Sequence, residues 1–154
     1  MITEHQVSED NKTLLLQFRQ YLTDQYEEEQ LVDEYMADVS LYALDYSSEC
    51  LHGNSVANIN VFDVHCFLAD YMIRHTVGCN ADDICEMLDS LAVFADFLER
   101  AHVISAVDLE EILALCENPS PYIARLAEYQ RLLNAHDMIG LRRWQESVLD
   151  AFDN

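Results

Sequence analysis

The sequence has few of the residues that interrupt regular structure: three glycines and two prolines among 154 residues. A β protein with many turns needs more of both, because glycine and proline supply the backbone conformations of tight turns. No apolar run approaches the ~18 residues of a membrane-spanning helix, and the polar residues 1–12 lack the apolar segment of a signal peptide. We therefore expect a cytoplasmic, α-helical protein with no membrane contact.

Basic residues are also scarce. Eight Lys and Arg stand against 29 Asp and Glu, which gives a formal net charge of −21, and Lys12 is the one lysine. Lys and Arg supply affinity for phosphate backbones and anionic membranes by displacing counterions, so direct nucleic-acid or membrane binding is disfavoured. The expected partner is a protein with a basic or apolar surface, and self-association as a homodimer stays open.

Apolar residues recur with helical period along the chain. The pattern predicts helices at residues 10–25, 27–46, 61–74, 81–101, 106–116, 121–134 and 141–152, with residues 47–58 as a loop and Gly140 before the last helix. Three helix starts carry a polar cap followed three residues later by an acid, at Asn60, Asn80 and Ser105. We therefore predict an all-α protein, a compact orthogonal bundle of about six or seven helices forming one domain over residues 1–154.

Ser90 lies in Asp-Ser-Leu, the tripeptide on which acyl carrier proteins carry phosphopantetheine. That role needs an exposed serine at the start of a helix. The apolar stripe of the fourth predicted helix instead runs through Ser90, from Ile84 to Leu98. Ser90 is therefore interpreted as a structural residue in mid-helix.

Histidines and cysteines that could serve as zinc ligands are concentrated around the third predicted helix. However, the sequence has no Cys-x-x-Cys, and Gly78 is expected to end the helix that would align His75 with Cys79. Reduced, buried cysteines and surface histidines explain the same pattern. We therefore predict no metal, no cofactor and no catalytic residue. The residues concerned are His65, Cys66, His75, Cys79 and Cys85.

Acidic side chains recur on the polar sides of the second and fourth predicted helices. Carboxylates three or four residues apart on a helix stand ~5–6 Å from one another, a spacing comparable with that of phosphates along a nucleic-acid strand. Such a face can imitate DNA to a basic protein, although an acidic face that merely interacts with water is the common case. The candidate acidic interaction surface consists of Asp82, Glu86, Asp89, Asp96, Glu34 and Asp38.

Two stretches resemble the core-binding (N-terminal) helical domain of tyrosine recombinases. Residues 14–46, "LLLQFRQYLTDQYEEEQLVDEYMADVSLYALDY", are similar to its opening helix pair, and residues 82–104, "DDICEMLDSLAVFADFLERAHVI", to a later helix. The segment "VHCFLADYMIR", residues 64–74, also resembles a looser set of uncharacterised prokaryotic helical proteins. The resemblance covers about residues 10–117 and implies a SAM-like core there, with residues 118–154 as a C-terminal helical extension.

The chain departs from the recombinase pattern where activity would reside. It contains no His-x-x-Arg and lacks a basic face, and we expect its 154 residues to hold no catalytic domain. No recombinase residue is therefore carried over. We expect a non-enzymatic, cytoplasmic protein–protein interaction module. The alternative is an acidic DNA-mimic decoy that inhibits a basic DNA-binding protein.

Overall fold

The computed structural model describes residues 4–50, 56 and 59–150. These residues form seven helices and no strand, which confirms the prediction of an all-α bundle of six or seven helices. Helix α1 is Glu4–Gln25, and α2 comprises Glu29–Ser40, a π-helical segment Leu41–Tyr46 and Ser47–Cys50. Helix α3 comprises Val61–Cys66, a second π-helical segment Phe67–Tyr71 and Met72–His75. The last four are α4 Ala81–Arg100, α5 Ala106–Cys116, α6 Ser120–Asn134 and α7 Met138–Glu146.

The start of helix α1 and the end of helix α2 differ from the sequence prediction. Helix α1 begins six residues before the predicted position 10. Helix α2 continues into the predicted loop as far as Cys50, where buried Ser47 accepts a 3.1 Å hydrogen bond from the Asn11 amide of α1. Of the remaining predicted loop, residues 51–55, 57 and 58 lie outside the described residues.

Helix α7 begins before Gly140, which was predicted to precede it. Asp137 caps this helix, because its Oδ1 accepts a 2.8 Å hydrogen bond from the Gly140 N–H. A Cβ on Gly140 would meet Leu132 Cδ2 at 2.5 Å. The glycine thus permits a close approach of α6 and α7. Residues 151 and 152, the end of the predicted helix, lie outside the described residues.

The three predicted N-caps are confirmed. Asn60, Asn80 and Ser105 each accept a hydrogen bond from the backbone N–H three residues later, at 3.0 to 3.1 Å. The Asp83 carboxylate in turn accepts a 3.0 Å hydrogen bond from the Asn80 N–H, which completes a capping box. Gly78 precedes this cap with a φ of 65°, a left-handed conformation that glycine adopts without steric cost.

Helix α4 is the centre of the bundle and packs against α1, α2, α5 and α6. Its predicted stripe is buried, and Phe94 meets Phe18 of α1 edge to face with ring centroids 4.9 Å apart. The buried stripe of α4 consists of Ile84, Met87, Leu88, Leu91, Phe94, Ala95 and Leu98.

The two π-helical segments contact each other and share an aromatic cluster. Tyr42 lies 5.2 Å from Phe67 between ring centroids, and Tyr46 lies 5.2 Å from Tyr71. The Tyr42 hydroxyl is buried in this cluster and has no hydrogen-bond partner among the residues that the structure describes. The cluster joins α2 to α3.

The C-terminal helices pack on α3 and on the turn that follows it. Arg125 of α6 donates a 2.7 Å bond to the Ala69 carbonyl, and Gln130 donates a 2.9 Å bond to the Cys79 carbonyl. Among the described residues, no helix is long and apolar enough to cross a membrane.

Candidate functional site

An acidic groove runs between α2 and α4. Four of the six acidic residues selected from the sequence line it, although they come from helices far apart in the chain. Its volume is ≈ 150 Å³. The groove is lined by Leu31, Glu34, Tyr35 and Asp38 of α2 and by Glu86, Asp89 and Ser90 of α4. We call these seven residues the acidic groove.

A hydrogen bond between two helices forms the floor of the acidic groove. Ser90 Oγ donates to Asp38 Oδ2 at 2.7 Å, and Ser90 is 2% exposed. The serine lies in mid-helix, as predicted, and its proton is engaged by a carboxylate. Its surroundings therefore offer no room for a large attached group.

Burial and then neighbouring negative charge raise the pKa of two carboxyl groups in the acidic groove, those of Asp38 and Glu86. Burial raises the pKa of Asp38, the bond from Ser90 opposes this, and the charges of Asp83 and Glu34 raise it further. The pKa of Glu86 is also raised, by desolvation and then by the negative charges of Asp38 and Asp83. A cation in the groove would relieve this repulsion.

The structure offers these carboxylates no cation of its own. None of the ion pairs among the described residues involves the four carboxylates of the acidic groove. Glu34, Glu86 and Asp89 are exposed, and Asp38 is half-buried. The groove therefore presents unpaired negative charge beside the apolar Leu31 and Tyr35.

The other two predicted acidic residues lie differently. Asp82 is exposed in the first turn of α4, and its charge adds to those that raise the pKa of Glu86. Asp96 lies where α4 meets α1, away from the groove. It accepts a 2.8 Å bond from Arg100 Nε and a 3.2 Å bond from the Tyr21 hydroxyl. Asp96 is thus already engaged.

Two groove residues, Leu31 and Tyr35, were missed as site residues. Tyr35 belongs to the apolar pattern of α2, so the sequence placed it with the core, yet it is only half-buried. Asp38 was placed on the solvent side of α2, whereas it contacts α4 through Ser90. Ser90 is a polar residue inside the apolar stripe of α4. This position was the sequence signal that a polar side chain of another helix contacts α4 there.

The predicted surface location is wrong for His65, which is 3% exposed. Its Nδ1 lies 2.9 Å from the Tyr122 hydroxyl, and its Nε2 lies 2.8 Å from the Val148 carbonyl oxygen. Burial lowers the pKa of His65, so the neutral ring is favoured. The histidine joins α3 to the C-terminal part of the chain.

The cysteines are free thiols of differing exposure. Cys79 is buried and Cys50 exposed, while Cys66, Cys85 and Cys116 are half-buried. Across the described ranges, no group of three or more His, Cys, Asp or Glu side chains has a geometry that could hold a metal ion. The acidic groove is therefore the candidate functional site.

No protein-family model matches the chain, and neither a curated protein nor a solved structure shows significant similarity to it. The function has to be argued from the residues of this chain.

Proposed function

We propose that this protein is a non-enzymatic, cytoplasmic protein-interaction module whose acidic groove binds a basic segment of a partner protein. One observation carries the proposal: Glu34, Asp38, Glu86 and Asp89 line a single groove, and none of them takes part in a described ion pair.

The lining suits a lysine or arginine side chain. The long aliphatic part of such a side chain packs on apolar surface while its charged end stays polar, and Leu31 and Tyr35 supply that surface. Carboxylates accept charge-assisted hydrogen bonds from the charged end, and arginine can form two in parallel. A volume of ≈ 150 Å³ suits one side chain rather than a folded element.

The resemblance of residues 10–117 to recombinase core-binding domains belongs to the same proposal. We propose a SAM-like core whose binding role is directed to protein instead of DNA. The net charge of −21 supports this direction, because a DNA-binding surface needs the opposite sign.

DNA mimicry is the second candidate. Asp82, Glu86 and Asp89 form an exposed ridge on successive turns of α4, which favours it. Two of the six selected carboxylates contribute less, because Asp96 is paired with Arg100 and Asp38 is half-buried against Ser90. A DNA-mimic decoy needs many unpaired carboxylates across a surface, whereas binding one basic side chain needs only the carboxylates of the acidic groove. This comparison favours the interaction module.

A binding comparison between two triple variants tests the proposal. The groove variant carries Glu34→Gln, Glu86→Gln and Asp89→Asn, and the control variant carries Glu110→Gln, Glu111→Gln and Asp24→Asn, which removes three exposed charges elsewhere. The probe is a fluorescent lysine- and arginine-rich peptide followed by anisotropy. We expect the groove variant to lose about tenfold or more in affinity and the control variant to stay near wild type.

Equal losses in the two variants would contradict the groove proposal, because they would show that only net charge attracts the peptide. Mimicry is tested separately with partners captured from lysate of the source organism. A decoy's partners are released at moderate salt and displaced by duplex DNA. Partners indifferent to DNA and lost from the groove variant support the interaction module.

A further inference from the structure

A second cavity lies between α6 and α7, away from the acidic groove. Its volume is ≈ 710 Å³, within the range of small-molecule sites. Its lining includes three of the eight basic residues of the chain, Arg125, Arg131 and Arg143, and the only tryptophan, Trp144. Two carboxylates, Glu128 and Asp137, also line it, so arginines outnumber acids there. A concentration of arginine in a chain of net charge −21 calls for an explanation.

Arg125 is a half-buried cation with neutral hydrogen-bond partners. Its Nε donates to the Ala69 carbonyl at 2.7 Å, Nη1 to Ser147 Oγ at 3.1 Å and Nη2 to the Trp144 carbonyl at 2.8 Å. Among the described residues it forms no ion pair. Burial lowers the pKa of Arg125, although a guanidinium stays charged in proteins. The nearby negative charges of Asp70 and Asp150 partly oppose this effect of burial, but in the described part of the chain neither carboxylate forms an ion pair with Arg125.

Trp144 holds the Arg125 guanidinium in place. The Arg125 Cζ lies 4.2 Å from the centroid of the indole ring, a cation–π contact. The indole Nε1 also donates a 3.0 Å bond to the Arg125 carbonyl. Both groups are thus ordered before any ligand arrives, which lowers the entropic cost of binding.

Arg143 is a second arginine of the cavity lining that forms no ion pair among the described residues. The third arginine of the lining, Arg131, is already paired, because its Nε donates a 2.9 Å hydrogen bond to Glu128 Oε2. The Asp137 carboxylate caps α7. Arg143 is exposed and belongs to none of the ion pairs in the described part of the chain, whereas its neighbour Arg142 pairs with Glu146 at 3.3 Å. Arg125 and Arg143 therefore remain available to an anion.

We propose that the α6–α7 cavity binds a small organic anion, a carboxylate or phosphate monoester attached to a planar apolar group. The oxyanion lies with Arg125 and Arg143, because guanidinium groups match the oxygens of carboxylate and phosphate. The planar group packs against the apolar part of the lining, which includes Leu132 and Trp144. This site is independent of the acidic groove and of its basic partner.

Trp144 gives the site a built-in reporter, because all tryptophan fluorescence of the chain comes from the cavity wall. The protein is titrated at constant ionic strength with benzoate, with phenyl phosphate and with neutral benzamide. We expect a saturable fluorescence change with at least one anion and none with benzamide. Saturation by only one anion identifies the head group and supports the site.

Two neighbouring arginines supply matched variants. Arg143→Gln removes a cavity cation, and Arg142→Gln removes an exposed cation that does not line the cavity. We expect Arg143→Gln to weaken anion binding about tenfold or more and Arg142→Gln to leave it unchanged. The groove variant should bind the anion as wild type does, which separates this test from that of the acidic groove.

Three results would overturn the proposal: no saturation with either anion, equal saturation with benzamide, or wild-type affinity in Arg143→Gln. Both arginines replaced are exposed, so the variants are expected to fold, and circular dichroism checks that they do.

Discussion

Ser90 of α4 donates a 2.7 Å hydrogen bond to Asp38 of α2, across 52 residues of sequence. The bond joins the two helices that form the acidic groove and holds a half-buried carboxylate at its floor. The residue that resembled an attachment site is thus part of the groove's structure.

Asp38→Asn should stabilise the protein at neutral pH. The pKa of Asp38 is raised in the folded state, so its contribution to stability is present below its ordinary value of 3.8 and is lost as pH rises through the folded pKa. Asparagine keeps an acceptor for Ser90 without the charge. A gain of about 1 kcal/mol would raise the melting temperature by roughly 3 °C.

The measurement is thermal unfolding followed by circular dichroism at pH 7 and near pH 4. The advantage of Asp38→Asn should shrink at the lower pH, where Asp38 takes up a proton. Asp45→Asn, an exposed change on the same helix, should have a smaller effect. A variant less stable than wild type at pH 7 would contradict the repulsion argument.

Ser90→Ala should destabilise the fold. The change leaves the Asp38 carboxylate half-buried without its donor, which costs about 1–3 kcal/mol. Urea unfolding measures the loss, and combining the change with Asp38→Asn tests whether the two effects are coupled.

If Ser90 carried a prosthetic group, the intact mass of the native protein would exceed that of the bare chain, whereas we expect equality.

His65 should make the fold less stable in mild acid. Its folded pKa lies below the ordinary 6.5, so its contribution is complete above that value and is lost as pH falls through the folded pKa. The free energy of unfolding should therefore fall between pH 7.5 and 5.5. The raised pKa values of Asp38 and Glu86 act in the opposite direction, because protonation of these carboxyl groups favours the folded state.

The test compares urea unfolding of wild type with His65→Gln, which does not titrate, and with His102→Asn at an exposed position. Asparagine suits His102 because that residue has a φ of 59°. His65→Gln should lower overall stability yet reduce its dependence on pH. A pH dependence that only His102→Asn removes would show that the buried ring is not responsible.

Two tyrosines should respond oppositely to loss of the hydroxyl. The Tyr42 hydroxyl is buried without a partner, so Tyr42→Phe should leave stability unchanged or raise it by up to about 1 kcal/mol. Tyr122→Phe should cost about 1–2 kcal/mol, because His65 Nδ1 loses its partner. Urea unfolding checks both, and equal effects would contradict this assignment of bonded and unbonded hydroxyls.

Local features of the sequence determined the helices. The apolar period marks which face of each helix is covered, and the caps at Asn60, Asn80 and Ser105 mark where three helices begin, because both signals act over a few residues. Two helix ends without such a signal were misplaced, the start of α1 and the end of α2 at Cys50, where Ser47 is buried.

Tertiary structure alone decided which helix covers each face. Periodicity placed Asp89 and Asp96 on the same side of α4, but α2 packs near the first and α1 near the second. Asp89 therefore lines the groove, whereas Asp96 meets Tyr21. His65 was predicted to lie on the surface. In the structure it contacts Tyr122 and Val148, which lie 57 and 83 positions later in the sequence. Such long-range partners depend on how helices pack, which a short-range pattern does not encode.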